Sequence, residues 1–134
     1  MTQMDWLELP VISIVDDDPS FRGATAELID SLGYCSATFG TAEEFLQSER
    51  LNDSCCLITD VQMPGLSGVE LQSELIAAGN MMPVIFISAL SEEEIRGRAL
   101  GAGAIGFLPK PFDEQQLIEY LEAALQRSSS LRTH

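Results

Sequence analysis

The stretch VISIVDDDP, residues 11–19, carries the clearest indication of the fold. Its mostly apolar first half, Val11–Val15, is typical of a strand that is covered on both faces, as in a parallel sheet. Three aspartates follow at once, and Asp18-Pro19 offers a helix N-cap with proline at the first helical position. The stretch therefore predicts a buried strand, an acidic loop and the start of a helix.

The same pattern recurs along the chain. Four more apolar runs follow: Tyr34–Phe39, Cys55–Thr59, Pro83–Ser88 and Ile105–Leu108. Helix-start signals at capping-box spacing lie between and after them: Thr41 with Glu44, Ser67 with Glu70, Ser91 with Glu94, and Asp113 with Gln116. Five strands alternating with five helices predict an α/β fold with a parallel sheet. Gly97 and Gly101 weaken the fourth predicted helix.

Composition excludes several classes of function. The 134 residues contain 7 lysines and arginines against 21 aspartates and glutamates, a net charge of -14. Such a surface repels phosphate backbones and anionic lipids, so we expect no direct binding to nucleic acid or membrane. Neither a membrane-spanning run nor a signal peptide is recognised. The three cysteines are interpreted as reduced, buried, structural thiols of a cytoplasmic protein.

Polar residues follow the predicted strands where ligands gather in an open parallel sheet. Asp16 and Asp17 follow the first strand, Asp60 follows the third, and Ser88 ends the fourth. Clustered carboxylates repel one another unless a cation is present, and oxygen ligands of this kind favour Mg²⁺. Lys110, the only lysine of the 134 residues, follows the fifth strand and suits a phosphoryl group.

Across roughly residues 10–127 the chain resembles the receiver domain of two-component response regulators, and in particular stand-alone relatives of FixJ-type regulators. The matching segments are Val15-Asp16-Asp17, Asp60, Met63-Pro64-Gly65, Leu66-Ser67-Gly68, Ser88-Ala89, Gly101-Ala102-Gly103-Ala104 and Lys110-Pro111-Phe112. The resemblance implies a flavodoxin-like, doubly wound (βα)5 fold whose five parallel strands have the order 2-1-3-4-5. We expect residues 1–9 to be an N-terminal extension and residues 128–134 a flexible C-terminal tail.

The resemblance also implies a phosphoryl-accepting site. Asp60 would be the phosphoacceptor, forming an aspartyl phosphate. Asp17, Asp60 and the backbone carbonyl of Gln62 would bind Mg²⁺ or Mn²⁺ directly, and Asp16 would act through water. The cation would reduce the repulsion between the carboxylate and the incoming phosphoryl group.

Further positions follow from the same resemblance. Lys110 and Ser88 would bind phosphoryl oxygens, and Phe107 would be the aromatic switch residue. A cis peptide is expected before Pro111. Gln62 and Leu90 occupy positions that tune the lifetime of the phosphate in this family.

The implied function is a phosphorylation-dependent signalling switch. A histidine kinase or a histidine phosphotransfer protein would donate the phosphoryl group, and the chain would also catalyse its own phosphorylation and dephosphorylation without being an enzyme in the usual sense. The changed surface would be formed by the fourth helix, the fifth strand and the fifth helix. A downstream protein, or a second copy in a phosphorylation-dependent homodimer, would bind there.

Two alternatives remain open. The chain could be the N-terminal receiver portion of a DNA-binding transcriptional regulator, although Ser128-Ser129-Ser130 is interpreted as a tail or a linker. It could also be a Mg²⁺-dependent phosphohydrolase of the haloacid dehalogenase kind. That class has a second aspartate two residues after the nucleophile, and Gln62 stands there, so this alternative is strongly disfavoured.

Overall fold

A computed structural model of the chain describes residues 10–89 and 93–132. The strands are β1 (Val11–Val15), β2 (Cys35–Phe39), β3 (Ser54–Asp60), β4 (Val84–Ser88) and β5 (Gly106–Pro109). The helices are α1 (Pro19–Ser31), α2 (Ala42–Leu46), α3 (Arg50–Asp53), α4 (Gly68–Ala77), α5 (Glu93–Gly101) and α6 (Glu114–Arg132). None of these helices is long and apolar enough to cross a membrane.

The five strands form one parallel sheet in the order β2-β1-β3-β4-β5. The predicted flavodoxin-like fold and its strand order are therefore confirmed. Strand β1 is an interior strand, paired with β2 on one side and β3 on the other, whereas β2 and β5 are the edges. The order reverses at β1, so the loops after β1 and β3 open at the point where such sheets bind ligands.

Successive side chains of each strand point to opposite faces of the sheet, which gives the molecule two cores. On one face Ile12 and Ile85 pack with residues of α1 and α6, and we call this the α1/α6 layer. On the other face Leu57 and Phe86 pack with residues of α2, α4 and α5, and we call this the α2–α5 layer. Both faces are covered, which explains why the interior strands β1, β3 and β4 are mostly apolar.

The predicted caps fix where helices begin and end. The Asp18 carboxylate accepts hydrogen bonds from the backbone N–H groups of Ser20 at 3.0 Å and Phe21 at 3.3 Å. Ser67 and Glu70 form a complete capping box at the start of α4. Helix α1 ends before Gly33, whose φ of 94° suits glycine.

The second predicted helix is divided in two in the structure. Ser48 lies between α2 and α3, and its hydroxyl accepts a hydrogen bond from the backbone N–H of Arg50 at 2.9 Å. Its own N–H donates to the carbonyl of Phe45 at 3.0 Å. A serine that hydrogen-bonds the local backbone competes with helix propagation, which accounts for the break.

The expectation of three buried cysteines is wrong for one of them. Cys55 and Cys56 lie in the central strand β3 and are buried, but Cys35 is exposed. Cys35 begins β2, and an edge strand leaves one side of its backbone open to solvent. No disulfide joins these three residues, all of which lie within the described part of the chain.

Of the two predicted domain limits, only the C-terminal one lies among the described residues. Helix α6 is helical to Arg132, beyond the boundary expected at residue 127, so the first residues of the expected tail continue the helix. The N-terminal extension, residues 1–9, lies outside the described residues, as do Leu90 and the predicted cap Ser91. The domain boundaries stay a prediction.

Candidate functional site: a carboxylate cluster bridged by Lys110

The site is assembled from the carboxyl ends of three strands. Asp16 follows β1 directly, Asp60 is the last residue of β3, and Lys110 follows the last residue of β5. Parallel strands bring these ends to one edge of the sheet. Residues that are up to 94 positions apart in the sequence therefore lie in hydrogen-bonding contact.

The Lys110 ammonium bridges two buried carboxylates. Its Nζ lies 3.0 Å from Oδ2 of Asp16 and 3.1 Å from Oδ2 of Asp60. The side chains of Lys110, Asp16 and Asp60 are only 15%, 4% and 11% exposed. Since the pairs are largely removed from water, their attraction is screened less than that of a surface ion pair.

The pKa values of Asp16 and Lys110 are both shifted in this cluster. Burial raises the pKa of Asp16, and the nearby Asp60 charge adds to the rise, although a backbone hydrogen bond from Asp18 and the Lys110 ammonium oppose it. Burial acts to lower the pKa of Lys110, but the hydrogen bonds to Asp16 and Asp60 outweigh it, so the pKa is raised overall. The ammonium is held in its charged form by the two carboxylates.

The backbone around Asp16 is fixed from two directions. Its Oδ1 accepts a hydrogen bond from the N–H of Asp18 at 2.9 Å, and its carbonyl accepts one from Nη1 of Arg22 at 2.7 Å. Its own N–H donates to the carbonyl of Phe39 at 3.1 Å. These bonds tie the loop after β1 to α1 and to the end of β2.

The loop after Asp60 is held equally closely. Oδ1 of Asp60 accepts a hydrogen bond from the N–H of Gln62 at 3.1 Å, and the N–H of Val61 donates to the carbonyl of Ile87 at 3.1 Å. Gly68 approaches the backbone of Asp60 so closely that a Cβ there would overlap the Asp60 carbonyl oxygen. Only glycine fits at the start of α4 without displacing Asp60.

A carboxylate from another element supports the far side of this loop. Oε2 of Glu43, in α2, accepts a hydrogen bond from the N–H of Leu66 at 3.0 Å. The same carboxylate packs against Gly65, whose φ is 77°. A positive φ favours glycine, so the turn in residues 61–67 depends on Gly65.

The acidic group fits a divalent cation. Asp16, Asp17 and Asp60 each offer a carboxylate oxygen, and these atoms lie within 4.8 Å of one another. Asp16 and Asp60 are buried, whereas Asp17 is exposed. An all-oxygen set with one solvent-facing carboxylate matches a hard cation that keeps some of its water. The cluster could therefore hold a metal ion.

The other predicted residues lie on β4, β5 and the adjoining loops. Ser88 is buried at the end of β4, and its carbonyl accepts a hydrogen bond from the N–H of Lys110 at 2.9 Å. Phe107, on β5, packs in the α2–α5 layer with its ring centroid 6.1 Å from that of Phe86. Gln62 is exposed. The Lys110-Pro111 peptide is cis, as expected.

Sequence reasoning missed the neighbours that surround these groups. Phe21 has no role in the sequence analysis, yet its ring lies beneath the Lys110 ammonium. Arg22 and Glu43 received no role, although both bind the loops of the site. The proximity of Arg22 to the acidic triple was a usable signal, because a cation one helical turn after three aspartates can reach back to them.

Comparisons with known proteins agree with this geometry. The family model described as "Response regulator receiver domain" matches residues 12–122. The chain is 38% identical to Nodulation protein W of Bradyrhizobium diazoefficiens over 122 residues, covering 91% of the chain and 54% of that protein. It is 39% identical to Transcriptional regulatory protein FixJ of Azorhizobium caulinodans over 121 residues, covering 90% and 57%.

A solved structure gives the same result. The structure of the response regulator StyR matches with a TM-score of 0.87 and 42% identity, covering 93% of this chain and 63% of that one. The chain spans about half the length of the curated relatives it matches. The matched regions of those relatives are 38% and 39% identical to it. The chain therefore belongs to the response regulator receiver domain family of two-component signalling.

Proposed function

We propose that Asp60 accepts a phosphoryl group and that this modification switches the protein between two signalling states. The observation that carries the proposal is the Lys110 ammonium, which bridges the buried carboxylates of Asp16 and Asp60. A fixed cation beside a candidate nucleophile can bind the charge that a phosphoryl group brings. Two carboxylates with one ammonium still leave a negative site that calls for a further cation.

The proposed chemistry is a simple group transfer. A carboxylate oxygen of Asp60 attacks the phosphorus of a phosphohistidine or of acetyl phosphate. A new O–P bond forms while the bond from phosphorus to the donor nitrogen or oxygen breaks, and the leaving group keeps the electron pair. Lys110, which already contacts Asp60, pairs with a phosphoryl oxygen. Attack by water on the phosphorus of the aspartyl phosphate would then break the O–P bond to Asp60, release inorganic phosphate and regenerate the carboxylate. Self-catalysed phosphorylation and dephosphorylation therefore both belong to the proposal.

The donor set supports Mg²⁺ or Mn²⁺ as the cation. Asp17, Asp60 and the backbone carbonyl of Gln62 would hold it, with Asp16 acting through water. When bound, the cation supplies charge neutralisation between the carboxylate and the incoming phosphoryl group. The hydrogen bond from the N–H of Gln62 to Oδ1 of Asp60 fixes the loop that carries that carbonyl.

The output would pass through Ser88 and Phe107. Ser88 would bond a phosphoryl oxygen, and Phe107 would change its packing in response, which would alter the surface formed by α5, β5 and α6. A downstream protein or a second copy would read that surface. We propose a cytoplasmic histidine kinase or phosphotransfer protein as the donor. Gln62, which is exposed, and Leu90, which lies outside the described residues, would tune the phosphate lifetime.

A second candidate concerns the whole protein rather than this domain. The relatives are about twice as long as the match, and one is named a transcriptional regulatory protein. A longer protein containing this receiver could therefore act on DNA through another domain. The net charge of -14 argues that the 134 residues themselves do not supply the nucleic-acid contact.

The test is intact mass after incubation with acetyl phosphate and Mg²⁺. We expect one phosphoryl adduct that is absent from Asp60→Asn and absent without divalent cation. Asp53→Asn is the matched control, because Asp53 pairs with Arg50 on the surface and should leave the adduct unchanged. An adduct that persists in Asp60→Asn would disprove the assignment.

A further inference from the structure

One aromatic ring beside the site, that of Phe21, has no part in the chemistry described above. The Lys110 Nζ lies 4.4 Å from the ring centroid of Phe21, on the first turn of α1. Phe21 is in turn braced by Phe112, with ring centroids 5.5 Å apart and an interplanar angle of 88°. An edge-to-face pair of this kind fixes the orientation of the Phe21 ring.

The three partners of the ammonium lie in different elements. Asp16 and Asp60 accept its hydrogen bonds after β1 and at the end of β3, and the Phe21 ring approaches from α1. A cation over an aromatic face is attracted by the ring quadrupole, and the attraction grows when the cation is desolvated. The Lys110 side chain is only 15% exposed, so this condition is met.

The ring differs from a third carboxylate in one important respect. It attracts the ammonium without adding negative charge to a site that already holds Asp16, Asp17 and Asp60. An additional anion would repel the incoming phosphoryl group, whereas a neutral ring does not compete with it. An aromatic platform is therefore the partner that holds a lysine in place and still leaves it available to an anion.

We propose that Phe21 is a positioning residue, a cation–π platform braced by Phe112 that holds the Lys110 ammonium where a phosphoryl group on Asp60 would meet it. The inference deepens the proposed function and rests on it for its effect on phosphoryl transfer. Phe21 does not touch the reacting atoms and acts only through Lys110. Its aromatic character, not merely its apolar bulk, is what the role requires.

The first experiment observes the contact directly and does not depend on phosphorylation. Because Lys110 is the only lysine of the 134 residues, ¹⁵N-lysine labelling gives a single side-chain ammonium signal. We expect its protons to be shifted upfield by the Phe21 ring current in the wild type and in Phe21→Tyr. The shift should be lost in Phe21→Leu. An equal shift in wild type and Phe21→Leu would overturn the proposal.

The second experiment measures the consequence for transfer. With Mg²⁺ and subsaturating acetyl phosphate, Phe21→Leu should form the Asp60 adduct about three- to tenfold more slowly, a size typical of a partly desolvated cation–π contact. Phe21→Tyr should stay within about twofold of wild type. The loss should appear as a higher half-saturating concentration of acetyl phosphate, because the ammonium binds the phosphoryl group.

A matched variant separates positioning from general loss of packing. Phe39 is also half-buried and also forms an edge-to-face pair, with Phe45 at 5.4 Å, but in the α2–α5 layer. Phe39→Leu should leave the Lys110 signal shifted and the half-saturating concentration unchanged. If Phe39→Leu and Phe21→Leu slow formation of the adduct equally, or if Phe21→Tyr is as slow as Phe21→Leu, the role is packing and the proposal fails.

If neither the wild type nor any variant forms an adduct, the proposed function fails. The ammonium signal alone then still decides whether Phe21 holds Lys110.

Discussion

The two helical layers that cover the sheet are built differently. The α1/α6 layer has two long helices of 13 and 19 residues, and its buried core is made of six isoleucines, three leucines, Cys56 and Ala124. The α2–α5 layer has four helices of 5, 4, 10 and 9 residues. β-Branched side chains have few rotamers and pack stiffly, whereas short helices depend on their neighbours for stability.

Polar groups and open space sharpen this contrast. In the α2–α5 layer the buried Gln72 donates a hydrogen bond to the carbonyl of Ala99 at 3.1 Å, which links α4 to the glycine-containing α5. A cleft of about 390 Å³ lies between the loop after β3, the start of α4 and α5, with Ile95 and Arg98 among its lining. We infer that the α1/α6 layer is the rigid base of the receiver and that the α2–α5 layer holds its adjustable elements.

A pair of leucine-to-alanine substitutions, one in each layer, should give the largest effect and tests whether the layers differ in rigidity. Leu117→Ala, in α6, should lower the free energy of unfolding by about 3 kcal/mol, because a stiff aliphatic core cannot close around the cavity. Leu75→Ala, equally buried in α4, should cost less, since short helices beside a cleft can relax. Urea unfolding of both variants measures the difference. An equal or larger loss at Leu75 would mean that the two layers are equally rigid.

Gly68→Ala probes a point where the adjustable layer is tightly packed. The new methyl group would overlap the carbonyl oxygen of Asp60, so we expect a loss of about 2 kcal/mol and a displaced Asp60. Thermal unfolding and the yield of the phosphoryl adduct should both fall. If the variant kept wild-type stability and formed as much adduct as the wild type, the loop after β3 would be able to move away from the added methyl group.

Gly97→Ala should have a smaller effect of the opposite sign. Gly97 is exposed within α5 and a Cβ there meets nothing within 4 Å, so alanine should stabilise the helix by up to about 1 kcal/mol. Hydrogen exchange of the α5 amides should slow, while that of α6 stays the same. Gly79→Ala is the control, because its φ of 75° makes alanine destabilising. Unchanged exchange in α5 would remove the glycine explanation for its weakness.

At neutral pH the last effect is the smallest of the series, because the change in stability that it concerns begins only at about pH 9. Burial in the α1/α6 layer raises the pKa of Cys56 from 9.0 to about 12. Between these values the unfolded chain loses the thiol proton and the folded chain keeps it, so stability falls as pH rises. Cys56→Ala should show a shallower decline between pH 9 and 12 than wild type, whereas Cys35→Ala, at an exposed site, should not. A decline of equal slope in all three would mean that water reaches Cys56.

The predictable parts of the fold are those that depend on short stretches of neighbouring residues. Continuous apolar runs located all five strands, and the N-cap at Asp18 and the capping box at Ser67 located two helix starts. The break at Ser48 was missed because serine is tolerated in a helix and only its hydrogen bond to Arg50 reveals the competition. The strand order came from the resemblance, since alternation of strands and helices allows several orders.

The site was predictable in its charged groups and not in their surroundings. Asp16, Asp60 and Lys110 follow strand ends, so the parallel sheet alone brings them to one edge. The contact between Glu43 and Leu66 and the ring of Phe21 beneath Lys110 depend on how helices pack. No spacing rule relates those residues, because the contacts exist only after the layers have formed.

The position of β1 between β2 and β3 also has a consequence for synthesis of the chain. Strands β3, β4 and β5 join the same growing edge in the order in which they are made, so no strand must insert between two that are already paired. Lys110 follows the last of these strands and is therefore the last of the charged groups to arrive. A nascent chain that has emerged only as far as β4 would bring Asp16 and Asp60 together without the cation that balances them. Lys110 would relieve their mutual repulsion only once β5 has been added.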